Sequence, residues 1–388
     1  MIFEMYRFTN LNYMRKLILF VTIVAMVACE KVDVSTPTNE ISSASIKFLG
    51  TLDSSENYSS HANAVSENGE VIVGSYAGTG PSSAYYSNAF YYKDGQMTNI
   101  NIYLNEQLAL NTANDVSADG SLIVGTGKDA IMNDFETLGF SYSNGSPSTF
   151  YPEYTSTVLG VSADGSTAVG AIAIAKDNFG TAACWRDNII DTLDLDLSSG
   201  SRAYAASEDG SKIVGVSNDE ETSKTKASVW TEDGVSFLDY SKSPYSYSSA
   251  LGISNNGSFI VGSIVISDKT SAFIWNEGDM SLLDGLNGEN TTNLIANDVS
   301  NDGRIVGTAS VLKDEDNYQS GKVAVIWDNK GKAISLQKLL FDELGLDSKG
   351  WFLTEAVDIT KDGSKIVGNA IKIEDGKTKV TGWYLQLN

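Results

Sequence analysis

The segment Val116-Ser117-Ala118-Asp119-Gly120-Ser121-Leu122-Ile123-Val124-Gly125 decides the fold, because it recurs along the whole chain. Its copies end in Gly74, Gly125, Gly170, Gly215, Gly262, Gly307 and Gly368. Their turn glycines, Gly69, Gly120, Gly165, Gly210, Gly257, Gly303 and Gly363, are spaced by 51, 45, 45, 47, 46 and 60 residues. A fixed period of this size marks a repeat architecture. The fifth copy shows the unit. Ala250-Leu251-Gly252-Ile253-Ser254 leads into a turn at Asn255-Asn256-Gly257, then Phe259-Ile260-Val261-Gly262. A polar loop follows, then Ala272-Phe273-Ile274-Trp275-Asn276, then Met280-Ser281-Leu282-Leu283. Runs this short, rich in β-branched and aromatic residues and bounded by Gly, Asn, Asp and Ser, are strands.

Four-stranded units repeated at about 45 residues are the sequence signature of a β-propeller. Counting strands tests closure. The seventh unit ends after Thr381-Gly382-Trp383-Tyr384-Leu385, so its fourth strand is missing. The orphan lies at the other end, Ser45-Ile46-Lys47-Phe48-Leu49-Gly50-Thr51-Leu52. The expected fold is therefore all-β: a seven-bladed propeller of four-stranded antiparallel blades over 45–388. An N-terminal strand completes the last blade and removes the open edge.

Two repeated positions invite functional readings. An aromatic recurs in the third strand, at Tyr92, Tyr142, Trp185, Trp230, Trp275, Trp327 and Trp383. Seven equivalent positions point to packing between blades and not to a cofactor box. Ser66, Ser117, Ser162, Ser207, Ser254, Ser300 and Thr360 precede the turns, where a hydroxyl bonds the turn backbone.

The pattern Gly-Ile-Ser-x-Asn-Gly-x-x-Ile-Val-Gly, then Ala-Phe-Ile-Trp-x-x-Gly-x-Met-x-x-Leu, resembles the extracellular HAF-repeat family, best over 252–283. The Ser-x-Asp-Gly hairpin is also similar to TolB-type propellers. The resemblance implies a secreted or surface propeller and supplies no catalytic residues.

Composition narrows the function. The 388 residues carry 27 Lys plus Arg against 49 Asp plus Glu, one His and two Cys, for a net charge of −22. Nucleic-acid binding needs clustered cations and is not expected. One His and two Cys exclude a Cys/His zinc framework and a multi-disulfide scaffold. No cofactor motif occurs.

The N-terminus reads as an address. Met14-Arg15-Lys16 precedes an apolar run, Leu17 to Val27, that ends in Met26-Val27-Ala28-Cys29. Charged start, short apolar stretch and small residues before a cysteine form a signal peptide over 1–28, with Met14 a plausible true start. The last four residues resemble a bacterial lipobox, which makes Cys29 the lipidated first residue. An ordinary secretory peptide or an uncleaved anchor is the other reading. Residues 29–44 form a flexible tether, and the mature chain then carries 24 basic against 48 acidic residues. The expected location is the bacterial cell envelope, as an outer-membrane lipoprotein on its surface or periplasmic face. The second cysteine, Cys184, sits in an apolar strand and reads as a buried small hydrophobe.

Candidate chemistry is sparse. His61 has no motif around it and reads as a polar loop residue near one rim. Asp115, Asp298 and Asp358 share one position in inner strands two, six and seven and would gather near the axis, either to hold a cation or to bond structurally. Structural bonding is the expectation, and no metal site is assigned. Asp314-Glu315-Asp316-Asn317 reads as a solvated acidic loop. The loops from second to third strand and from blade to blade share one face, where variable segments on a rigid scaffold host binding. That face collects Tyr85, Tyr86, Tyr151, Tyr154, Tyr245, Tyr247 and Trp351, flat rings with polar tips that suit sugars or a protein. Residues 336–346 read as a short amphipathic helix on the same face.

The expected function is a lipid-anchored, non-catalytic, monomeric binding module for a protein or a neutral glycan. Neutral glycans are favoured because an acidic body repels anions. The alternative is a glycan hydrolase or lyase using a carboxylate pair on that face.

Overall fold

The computed structural model describes residues 41–52, 58–79, 85–100, 108–129, 137–150, 155–173, 180–187, 189–194, 200–286, 291–311, 321–328 and 330–388. The chain divides into Met1–Ile41 and Ser42–Asn388, and the fold below is that of the second unit. The leader, Cys29, the tether up to residue 40, Tyr151, Tyr154 and the 314–317 loop lie outside the described residues.

Seven antiparallel four-stranded sheets form the blades of the expected propeller. In six of them the strands follow chain order from the first, inner strand to the fourth. Blade 7 is built from Phe352–Ile359, Lys365–Glu374 and Lys377–Leu387, with Ala44–Phe48 as its outer strand. Ala44 faces Leu387 and Phe48 faces Trp383 across that seam. The ring is closed by strand pairing between the two ends of the unit, which leaves neither end as a free template.

Each hairpin between first and second strands is built by the same three groups. Ser254 donates its hydroxyl to Asn256 Oδ1 at 2.7 Å and accepts the Phe259 N–H at 3.0 Å. Ser117 with Asp119, Ser162 with Asp164, and Thr360 with Asp362 repeat the arrangement. The turn hydroxyls are structural, as their repetition predicts.

A second repeated feature was not visible as a motif. In every blade the register between first and second strands skips one residue: Asn63, Asn114, Leu159, Tyr204, Leu251, Asn297 and Val357. This is a β-bulge, which bends the strand and re-aims one side chain. Here the extra residue is turned to the axis of the ring. Opposite each bulge sits the glycine that ends the repeat. A Cβ at Gly262 would run into the carbonyl oxygen of Ser249, and one at Gly170 into that of Thr157. The other five copies have the same clash. Glycine is needed there for close backbone approach and not for an unusual φ.

Blade-to-blade contacts combine apolar packing with buried polar staples. Trp185, Trp230 and Trp327 are nearly or fully buried, and Cys184 is fully buried. Trp383 is buried too, but it pairs with Gly368, the place that Phe273 holds against Gly262 in blade 5. Leu385, facing Ile366, takes the expected aromatic position in blade 7. Buried hydroxyls near the start of inner strands accept N–H groups from the third strand of the preceding blade: Ser248 from Ala227 at 2.9 Å, Ser156 from Gly139 at 2.9 Å and Ser201 from Ala182 at 2.8 Å.

The helical expectation at 336–346 holds with a change of pitch. Lys338–Glu343 is a π-type turn, with Leu344 N–H bonding Leu339 O at 3.0 Å, and Gly345 ends it at φ 69°. Leu336 and Leu340 are fully buried, and Gln337 Oε1 accepts the Leu353 N–H of blade 7 at 2.9 Å. The insertion is pinned to the scaffold. Replacing the clash-bearing glycine, Gly262→Ala, is expected to cost at least about 2 kcal/mol in chemical denaturation; a cost below about 0.5 kcal/mol would contradict the close-approach account.

Candidate functional site

Among the described residues, two concave regions bear on the candidate chemistry. The first is an axial cavity of about 170 Å³ lined by all seven inner strands. It brings together Asp115, Asp298 and Asp358, as their shared position predicts, and adds Glu67. Each carboxylate is tied to main-chain N–H groups. Asp115 of blade 2 accepts from Val161 of blade 3 at 2.8 Å, and from Val116 of its own strand at 2.7 Å. Asp298 of blade 6 reaches Ile359 of blade 7 at 3.1 Å, and Asp358 of blade 7 reaches Val65 of blade 1 at 2.7 Å. Asn63, Asn114 and Asn297, the bulged residues of blades 1, 2 and 6, donate to carbonyls of the following blade: Ala113 at 2.7 Å, Val158 at 2.6 Å and Ala356 at 2.8 Å. The axial residues are therefore inter-blade staples. Glu67 goes further. From blade 1 it accepts Asn255 Nδ2 of blade 5 at 2.6 Å and the Lys361 N–H of blade 7 at 2.7 Å, spanning one end of the cavity.

These acids sit among each other with no Lys or Arg in the lining. Burial, then the charge of Asp358, pushes Asp115 up to about 8, against the pull of its two N–H bonds. Burial raises Glu67 as well. Burial also raises Asp298 and Asp358, and Asp358 raises Asp298 further; like charges this close do not both ionise, and the pair keeps a proton. Among the described residues no group of three or more His, Cys, Asp or Glu is arranged to hold a metal ion. His61 belongs to the inner strand Tyr58–Val65 and not to a loop, which corrects the rim reading. It is half-buried, and burial lowers its pKa against the opposing charge of Glu355.

The second region is an open cleft of about 350 Å³ on blade 4. One wall is the connection between Ile213–Asp219 and Lys224–Thr231; the other is the connection from Gly234–Phe237 to blade 5. Those two kinds of loop share the face expected for binding. Tyr245 lines the cleft beside Tyr240, Pro244 and three lysines, Lys224, Lys226 and Lys242. Its hydroxyl donates to Asp239 at 2.6 Å, and burial with that bond pushes it up to about 12. Lys224 donates to the Tyr245 carbonyl at 2.7 Å, and its ammonium lies 5.5 Å from the ring centroid. Lys226, only 8% exposed, pairs with Asp219 at 2.8 Å and Asp239 at 3.0 Å. Those bonds outweigh the burial that opposes its charge, and the Lys226 bond leads those holding Asp219 down at about 2.

Of the other expected rings, Tyr247 and Trp351 do not line this cleft. Tyr247 begins the inner strand of blade 5 and is 38% exposed. Trp351 is half-buried and stacks on Phe48 of the closing strand, with centroids 5.5 Å apart, so one of its faces serves the seam. Tyr85 and Tyr86 begin the third strand of blade 1. Sequence reasoning missed the lysines. The signal available was Lys224-Thr225-Lys226, alternating basic residues at the start of a strand.

No protein-family model matches the chain, so the HAF-repeat family is not shown. No curated protein matches it in sequence. Solved structures match in fold. The β-propeller domain of the trilobed protease from Pyrococcus furiosus is 10% identical, with a TM-score of 0.56, covering 87% of this chain and 97% of that one. That domain has an open velcro topology, whereas here the ends pair. An oligogalacturonate lyase from Vibrio parahaemolyticus is 10% identical, with a TM-score of 0.55, covering 88% and 93%. TolB from Acinetobacter baumannii is 11% identical, with a TM-score of 0.44; the match covers 68% of this chain and 62% of that one, less than two thirds of its length. At such identities the likeness is one of fold. Among the described residues no helix is long and apolar enough to cross a membrane.

The axial acids set a pH dependence. A carboxyl raised from 3.8 to about 8 is protonated in the folded chain and ionised in the unfolded one across that window. Stability is therefore expected to fall as pH rises from about 4 to 8, by up to about 1.4 kcal/mol per pH unit per proton. Hairpin aspartates act in the opposite sense at lower pH. Bonds from turn N–H and hydroxyl groups hold Asp119 and Asp209 below the usual range, and at Asp164 and Asp362 they outweigh burial. Their contribution is lost on acidification below about 4. Urea unfolding across pH should show a maximum near 4–5, and Asp115→Asn should flatten the alkaline limb; a wild-type limb that rises from 5 to 8 would contradict the assignment.

Proposed function

We propose that this protein is a lipid-anchored, non-catalytic propeller of the bacterial outer membrane that captures a glycan chain on its loop face. The carrying observation is the cleft around Tyr245, where two loops of that face enclose about 350 Å³ with tyrosine rings, a proline and hydroxyls. That volume is at the low end for small-ligand sites, roughly 300–1,000 Å³, and suits sugar rings. The Met26-Val27-Ala28-Cys29 segment supports the anchor, and the HAF-like repeat supports an extracellular or periplasmic placement. The engagement of Asp115, Asp298, Asp358 and Glu67 by backbone amides supports a structural role for these acids, so the enzyme alternative draws on carboxylates of the loop face.

A protein partner is the second reading. The second and third strands of blade 7 are ten and eleven residues long, and near their turn Ile373 is 62% exposed. That hairpin turns on the same face as the Tyr245 cleft.

Calorimetric titration of the full chain in detergent against neutral and acidic polysaccharides is expected to show saturable binding, weakened at least tenfold by Tyr245→Ala. Flat titrations across the panel would overturn glycan capture. Sugar release in the same cells, abolished by substitution of one carboxylate, would replace capture with hydrolysis or lysis.

A further inference from the structure

The chain has a net charge of −22, yet three of the nine residues lining the blade 4 cleft are lysines. Their environments differ. Lys226, the buried one, is held by Asp219 and Asp239. Lys224 has no carboxylate partner among the described residues; its one bond goes to the Tyr245 carbonyl, leaving two N–H donors of its ammonium. Lys242 stands exposed, 4.0 Å from an equally exposed Asp279, a separation at which an ion pair between solvated side chains is weak. Lys226 thus carries two acidic partners, while Lys224 and Lys242 are the two lining lysines without a close carboxylate. The remaining lining is Thr222, Ser241 and Ser243 hydroxyls beside the faces of Tyr240, Pro244 and Tyr245.

We infer that this cleft recognises a uronate, a sugar ring bearing one carboxylate, with Lys224 and Lys242 on the carboxylate and the serine and threonine hydroxyls on the ring. The inference rests on the glycan-capture reading and gives it a ligand class. It also revises the expectation of a neutral sugar. Repulsion by the acidic body is screened over about 8 Å at physiological salt, whereas the lysines act at contact. A carboxylate is the anion that these two ammonium groups would accept, since Lys226 is already occupied by Asp219 and Asp239. Arginine forks, which suit phosphate and sulfate, are absent from the lining.

Titration of the full chain with a galacturonate hexamer and with its fully methyl-esterified form separates charge from ring recognition. The acid is expected to bind at least tenfold more tightly than the ester, with the difference shrinking as salt rises. Lys224→Gln, which keeps a donor for the Tyr245 carbonyl, should erase that preference and leave the affinity for the ester within twofold. Circular dichroism and the thermal midpoint of the variant report whether the fold is intact. Lys242→Ala, at an exposed position, gives a second reading free of folding effects. Equal affinity for acid and ester, unchanged by Lys224→Gln, would overturn the uronate assignment while leaving glycan capture standing. Displacement of the hexamer by polyglutamate at equal concentration would also overturn it, in favour of an acidic peptide. Absence of binding by any polysaccharide would remove glycan capture and the uronate with it.

Discussion

The extra residue in each inner strand, set against a glycine in the second, is the constraint on which the rest of the ring depends. A bulge bends the strand and turns one side chain towards the axis, and it forces a carbonyl so close to the neighbouring backbone that only glycine fits opposite. Seven such bends orient seven side chains inward. Where that side chain is asparagine, it donates to the next blade; where the following residue is aspartate, its carboxylate accepts from the next blade. Local backbone geometry and ring assembly are thus one device.

That device places three carboxylates, Asp115, Asp298 and Asp358, where water is scarce, and the turn residue Glu67 adds a fourth. Their desolvation is a cost, offset by charge-assisted bonds to main-chain N–H groups and by proton uptake. No Lys or Arg lines this acidic axis, and burial raises all four carboxyls, so proton uptake relieves their repulsion. The axial acids bond blade to blade, and the proposed binding chemistry lies on the loops. The Tyr245 cleft follows this logic: a rigid blade presents two loops, and their side chains supply rings, hydroxyls and ammonium groups.

Much of the architecture was legible in the sequence. The repeat gave blade count, strand count and the closing strand, because hairpin turns need Asn, Asp or Gly at fixed places. The bulge was not legible. Ala113 and Val116 join one buried cluster, and Ala296 and Val299 another, although a spacing of three sends residues of a regular strand to opposite faces. No residue type marks the extra position. The Trp383 alignment failed because the aromatic of blade 7 sits two residues earlier, at a position that phenylalanine fills elsewhere. The cleft was half legible. Tyr245 was found by residue type, but its lysines come from two loops separated in sequence, and the overall negative charge concealed their clustering. Trp351 belongs to the loop face by residue type and position, yet the strand that closes the ring claims one face of its ring.

Hydrogen–deuterium exchange of the full chain, with and without a saturating polysaccharide, tests the central claim that the ring is scaffold and the loop face receives the ligand. Protection confined to residues 219–224 and 238–247, with the inner-strand amides already slow and unchanged, is the expected result. Protection centred on the hairpins at 66–71, 117–122 and 254–259, at the opposite end of the blades, would contradict it.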